Sequence, residues 1–275
     1  MGISNIYVNS IQTFPHSVPG TFGSKKAYNI TRGLKADPNR MTVGRLMETT
    51  KPLPKNAALL GQCADGLPFF LSLTNAEVGA ILVNGDYGCG KTHQLQVIVD
   101  SIIRTHQVQD WQVEVFTGNT LEWSGMLLSK PRQPFLRGLH AWYDTRSEAA
   151  IQALIEVADT RRQGQRKGAE IILILDGMHA IDELSAEAQV NLHWLIEYGA
   201  QFGIWVVAAI STDLMKPFQF WVQSFRTQLS GYTHHRDTGI HRVNISLQAS
   251  LPEPGWFRVK SFDQMLTYRL PLLGD

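Results

Sequence analysis

The sequence predicts an α/β fold, a central and mainly parallel sheet flanked by helices. Three observations carry this. From residue 61 onward, apolar runs of strand length alternate with helical patterns, which implies crossover helices between parallel strands. One run, Gly79-Ala80-Ile81-Leu82-Val83, leads into Gly85-Asp86-Tyr87-Gly88-Cys89-Gly90-Lys91-Thr92 and then a helix-like stretch from Leu95 to His106. That fits G-x-x-x-x-G-K-[ST] in the strand–loop–helix setting a phosphate-binding loop requires. Another run, Ile171-Ile172-Leu173-Ile174-Leu175-Asp176, is apolar until it ends in a carboxylate, the pattern of a strand buried on both faces.

Residues 1–60 read as an irregular arm, punctuated by Pro15, Pro19, Gly20, Gly23, Pro38, Pro52 and Pro54 and without a long periodic helix. Residues 61–275 read as the core. Strands are expected near 68–73, 79–84, 112–116, 170–176 and 203–210, and helices over 91–106, 147–163 and 185–201. In the last helix Leu184, Val190, Leu192, Leu195 and Ile196 recur at helical spacing, with Ser185 placed to cap it and Glu187 in its first turn. After Gln228 short strands return, and 255–260 with 265–270 reads as a closing hairpin.

A chain of 275 residues with 44% hydrophobic and 18% charged residues is an ordinary globular protein, so disorder is not its default. The net charge of +1 hides an asymmetry. Eight of the 25 basic residues (Lys25, Lys26, Arg32, Lys35, Arg40, Arg45, Lys51, Lys55) lie in residues 1–60, but only Asp37 and Glu48 of the 24 acidic ones. A basic arm on a slightly acidic body suggests contact with nucleic acid or with an acidic neighbouring subunit; a solvated extension is the alternative. Cys63 and Cys89 are the only cysteines, one of them inside the phosphate loop, so a structural disulfide is not expected. No apolar run approaches 18 residues, and no charged segment followed by an apolar one opens the chain. The expectation is a cytoplasmic protein with no membrane segment.

The chemistry of the motif is geometric. Glycines let successive backbone N–H groups turn inward on a triphosphate, and the helix N-terminus adds its positive end. Gly85, Asp86, Tyr87, Gly88, Cys89, Gly90, Lys91, Thr92 and the following His93 are the expected nucleotide-binding residues. Lys91 would reach the β and γ phosphates of ATP, and Thr92 with Asp176 would hold Mg²⁺. Ser211 or Thr212, ending the apolar run Ile204–Ile210, is placed to sense the γ phosphate. Arg146, Arg161, Arg162 and Arg226 are candidate arginine fingers for a neighbouring subunit. His234, His235 and His241 cluster without a Cys or carboxylate at zinc-like spacing, so a polar loop is the expected reading.

The order of these parts resembles the FtsK/HerA superfamily of hexameric DNA-pumping ATPases. Gly61-Gln62 with 65–71 is similar to the family's small strand pair ahead of the phosphate loop. Ala158-Asp159-Thr160-Arg161-Arg162 is similar to a helix end with an arginine pair, Glu197–Ile204 to its helix-to-strand passage, and 255–270 to its closing hairpin. The resemblance covers roughly residues 61–275. It implies a RecA-like, additional-strand P-loop NTPase that binds ATP and Mg²⁺, assembles as a ring and acts on double-stranded DNA, with Ser124–Arg137 or Pro217–Gln228 as pore-facing loops. Nucleotide-dependent scaffolding among protein partners, or a motor for secretion or conjugation, are the competing readings. Three departures stand out: Gly177 follows Asp176 where the family carries a catalytic Glu, Ser211 replaces a common Gln, and no winged-helix domain follows the core. Hydrolysis is therefore in question; His179, Asp182 and Glu183 are the nearest substitutes in sequence.

Overall fold

The computed structural model describes residues 40–164, 168–233, 251–261 and 264–274. Ten strands form one sheet: β1 (Ala57–Cys63), β2 (Pro68–Ser72), β3 (Ile81–Gly85), β4 (Trp111–Thr117), β5 (Leu136–Ala141), β6 (Glu170–Asp176), β7 (Ile204–Ser211), β8 (Thr227–Gly231), β9 (Trp256–Ser261) and β10 (Gln264–Arg269). Their order is β2-β1-β10-β9-β8-β3-β7-β6-β4-β5. The half from β8 to β5 is parallel, and the half from β9 to β2 joins it antiparallel. The expected parallel sheet with a closing hairpin is thus observed, and the hairpin lies between the phosphate-loop half and the β1–β2 pair.

Six α-helices complete the described fold: α1 (Val43–Glu48), α2 (Lys91–Thr105), α3 (Thr120–Leu127), α4 (Arg146–Arg162), α5 (Ala186–Tyr198) and α6 (Gln219–Val222). The period-2 alternation of the strands sorts the core into two layers. Ile172, Ile174, Val207 and Val83 meet α2 and α3 through Leu95, Ile98, Ile102 and Trp123. Leu173, Leu175, Val206 and Leu82 meet α4 and α5 through Ile151, Leu154, Leu192 and Leu195. This two-sided burial is why β6 and β7 are apolar almost without interruption. Ser185 caps α5 as expected, its hydroxyl accepting from the Ala188 amide at 3.3 Å.

Residues 40–60 pack into this body instead of forming an irregular arm. Strand β1 runs across the expected boundary at residue 60. Helix α1 buries Val43 and Leu46 against Leu59 and Val97. It is tied to the end of the chain by Val43 N–H to the Leu272 carbonyl and Leu272 N–H to the Met41 carbonyl, both 2.9 Å. Six residues are too few to display a helical period, and the Ala-Ala-Leu-Leu-Gly run of β1 carries none of the β-branched or aromatic residues that announce a strand. Likewise, Ser124–Arg137 holds the end of α3 and the start of β5, and Pro217–Gln228 holds α6 and the start of β8, so neither is a free loop. The basic residues before position 40, Arg166, Lys167 and the His234, His235, His241 cluster lie outside the described residues.

Candidate nucleotide site

The phosphate loop sits at the carboxyl end of β3, in the crevice where open parallel sheets bind ligands. Gly88 and Gly90 take φ of 79° and 104°, a left-handed backbone that glycine adopts without strain. Gly90 caps α2 with no side-chain cap bond, and no acidic residue occupies the helix's first turn. The first amides of α2 are therefore left to an external anion. Lys91 Nζ donates to the Gly85 and Asp86 carbonyls at 2.9 Å each, closing the loop on itself. Cys89 is buried, its thiol pushed up by desolvation, and its carbonyl accepts from Gly255 N–H at 2.9 Å, so it anchors the loop to the start of β9. Tyr87, at the loop's tip, is 94% exposed.

Asp176 ends β6 on the face that looks toward α2. Its Oδ1 accepts from the Thr92 hydroxyl at 3.0 Å, and its Oδ2 accepts from Trp123 Nε1 at 2.9 Å and the Thr117 hydroxyl at 3.4 Å. Desolvation pushes the Asp176 carboxyl above its ordinary range, partly offset by those donors and by the Lys91 charge. A buried carboxylate touching the hydroxyl that follows the loop lysine is the donor pair a Mg²⁺ ion on a nucleotide needs. Two buried polar atoms at the neighbouring strand ends have no hydrogen-bond partner among the described residues, the Asn84 amide nitrogen in β3 and the Thr212 hydroxyl just past β7. Such orphaned groups are costly unless a ligand or water meets them. The residues present therefore fit Mg²⁺ and a nucleotide.

The remaining predicted residues separate. Ser211 lies opposite Gly85 in the β3–β7 ladder, next to the loop. His93 is engaged elsewhere: its Nε2 lies 2.7 Å from the Pro271 carbonyl, and desolvation lowers the ring to about 4, so it is neutral. Arg161 is buried, with its guanidinium on the Phe202, Gly203 and Ala169 carbonyls, and that packing removes it as a finger. Arg162 pairs with Asp159 at 3.0 Å and Arg146 with Asp144 at 2.5 Å, both on the surface. The Arg226 stem lies over Gly79 at the start of β3, the end of the sheet opposite the loop. Of the four arginines, Arg146 alone follows the carboxyl end of a parallel strand. Among the described residues no cluster of His, Cys, Asp and Glu forms a metal group, and no helix is long and apolar enough to cross a membrane.

Gly177 takes φ 80° and ψ 56°, starting the 3-10 segment Met178–Glu183. The glycine is required by the backbone; a Cβ there meets only the His179 ring, at 3.4 Å from Cε1, so space is not the constraint. Gly177→Ala is expected to destabilise the fold by about 1–2 kcal/mol, the cost of a left-handed non-glycine residue, seen as a lower denaturant midpoint. His179, Asp182 and Glu183 all lie exposed in that segment. Sequence reasoning missed Thr117 and Trp123, which bond to Asp176 from the end of β4 and the first turn of α3, and Glu122, which precedes Trp123 in that turn.

No family model and no curated protein matches the sequence. Solved structures do. The cytoplasmic domain of the type VII secretion ATPase EccC from Thermomonospora curvata aligns over 86% of this chain at 19% identity and TM-score 0.66. The ATPases 2 and 3 of EssC from Geobacillus thermodenitrificans align over 86% at 16% identity and TM-score 0.66. The fold is that of the RecA-like domains of these P-loop ATPases. EccC ATPases 2 and 3 in complex with a signal sequence peptide align over 88% at 17% identity and the same TM-score. The chain spans 28%, 48% and 44% of those three chains respectively, so it corresponds to a fraction of each. At these identities the likeness to an ATPase domain is one of fold.

Proposed function

We propose that the chain is an ATP-binding motor domain of the FtsK/HerA type that works as one element of a ring. The observation that carries this is the Thr92–Asp176 contact at 3.0 Å beside Lys91, set at the open N-terminus of α2. ATP would lie with its phosphates on the loop amides, Lys91 exchanging its two carbonyl partners for phosphate oxygens. Thr92 and Asp176 would hold Mg²⁺, which when bound neutralises charge between the β and γ phosphates. The Thr212 hydroxyl and Ser211 stand at the neighbouring strand end, where a γ-phosphate sensor belongs.

For the load we infer double-stranded DNA, a reading favoured by the outer face of the antiparallel half. Phe257, Val259 and Tyr268 face the core, so the alternate residues Arg258, Lys260 and Arg269 share the other face, with Arg269 over the Trp256 ring at 5.9 Å. Among the described residues of β9 and β10 there is no carboxylate. A face of cations with an aromatic fits a polyanion better than a signal peptide, the ligand named for one structural neighbour. The absence of a carboxylate at Gly177, after Asp176, favours a second reading, a nucleotide switch with slow turnover. The test is ATP turnover with and without long linear double-stranded DNA. The motor reading expects stimulation that fades steeply with salt; slow turnover indifferent to DNA selects the switch. Absence of ATP binding would sink both.

A further inference from the structure

We propose that Glu122 is the general base of this site, the carboxylate that takes the proton of the attacking water in place of the side chain Gly177 lacks. The inference rests on the ATP-binding reading above.

Attack on a γ phosphorus needs a base within hydrogen-bond reach of the water. The chain after Asp176 offers no carboxylate at the usual place: Gly177 has no side chain, the exposed His179 ring lies beside it, and Asp182 and Glu183 are exposed farther along the 3-10 segment. The neighbouring strand leads to one. Thr117, the last residue of β4, pairs in register with Asp176. Two residues later comes the cap of α3, and Glu122 lies in the helix's first turn. Two hydrogen bonds fix that turn against the site. Trp123, the next residue, donates its indole N–H to Asp176 Oδ2 at 2.9 Å, and Gln96 of α2 donates its side-chain N–H to the Glu122 carbonyl at 3.0 Å. Gln96 is four residues after Thr92, so both stand on one face of α2. The backbone at Glu122 is thereby fixed between the metal-binding carboxylate and the nucleotide helix.

Among the described residues, the Glu122 carboxylate has no hydrogen-bonded or ionic partner, unlike the acids carried by α2, β4 and β6. Asp100 is paired with Arg104 and Arg132, Glu114 with Arg137 and His140, and Glu170 accepts from Trp205. Glu122 is half-buried, and it lies close enough to Asp176 to feel its charge. Partial burial and the like charge of Asp176 both oppose ionisation of Glu122, and its place in the first turn of α3, where a helix N-terminus favours an acid, offsets part of that cost. An acid whose ionisation is opposed beside the metal-binding carboxylate is a candidate for proton transfer. In the step it serves, the water oxygen bonds to the γ phosphorus as the bond from phosphorus to the β–γ bridging oxygen breaks, its electron pair leaving with ADP. The water's proton passes to the Glu122 carboxylate and from there to solvent. ADP and inorganic phosphate result.

The experiment compares the full chain with Glu122→Gln in two measurements, affinity for ATP with Mg²⁺ and hydrolysis in a single turnover. The amide keeps the size and loses the base, so unchanged affinity with hydrolysis slowed roughly a hundredfold to ten-thousandfold is expected. Hydrolysis retained in Glu122→Gln overturns the assignment. So does loss of ATP affinity in the variant, which would make Glu122 a binding or structural residue. A wild type that binds ATP without hydrolysing it overturns the assignment but leaves the nucleotide site standing, whereas a wild type that binds no ATP removes the reading beneath it.

Discussion

Lys91→Ala is expected to weaken ATP binding by roughly ten- to a hundredfold while leaving the folded state close to wild type, because hydrogen bonds to charged groups are worth about 1.5–3 kcal/mol. In the structure the Lys91 ammonium donates to the Gly85 and Asp86 carbonyls of its own loop. Those bonds hold the loop shut and are the ones a phosphate would replace. The side chain belongs to neither face of the core, so its removal opens no cavity. Titration of labelled ATP, alongside a denaturation curve, separates the two effects. Equal affinity in a well-folded variant would show that this loop does not bind the triphosphate.

The parallel half of the fold was legible because its signals are local. Strands β3, β6 and β7 are continuous apolar runs, and the motif at 85–92 fixes the loop and the helix after β3. The elements that stayed hidden depend on long-range packing. Helix α1 and strand β1 gain their stability from α2, β2 and the final residues of the chain, to which their own short sequences give no pointer. The site divides in the same way. Lys91, Thr92 and Asp176 were readable from motif and strand end, but Trp123 and Thr117, with Glu122 preceding Trp123, come to it only through the pairing of β4 with β6, which no spacing in the chain announces. Arg161 is unsuited to act as a finger for a related reason. Arg161 is an arginine in sequence and a bundle of carbonyl-directed donors in the fold, a use visible only once Gly203 and Ala169 are brought beside it. Gly177 looked like a deletion of catalytic function; its left-handed backbone makes it a structural requirement.

Asp176→Asn is expected to trade activity for stability. On the functional side, Asn keeps an oxygen for Trp123 and Thr117 but loses the charge that binds Mg²⁺. Affinity for Mg²⁺ with ATP should then fall by roughly tenfold or more, on the scale of a lost charged contact. The stability of the ligand-free protein should move the other way. Desolvation raises the Asp176 carboxyl above its ordinary value of 3.8 in the folded state, and three donors with the Lys91 charge only partly restore it. The folded chain then holds a proton that the unfolded chain has already released, so wild-type stability declines as pH rises from about that value through the raised folded one. Asn carries no such penalty, and the Thr92 hydroxyl can turn to accept from its amide. Denaturation without ligand at acidic and neutral pH tests this: the gap between variant and wild type should widen as pH rises. A variant less stable than wild type at neutral pH would mean that the ionised Asp176, with Trp123, Thr117 and Thr92 around it, is a net support of the fold and not strain held for the metal.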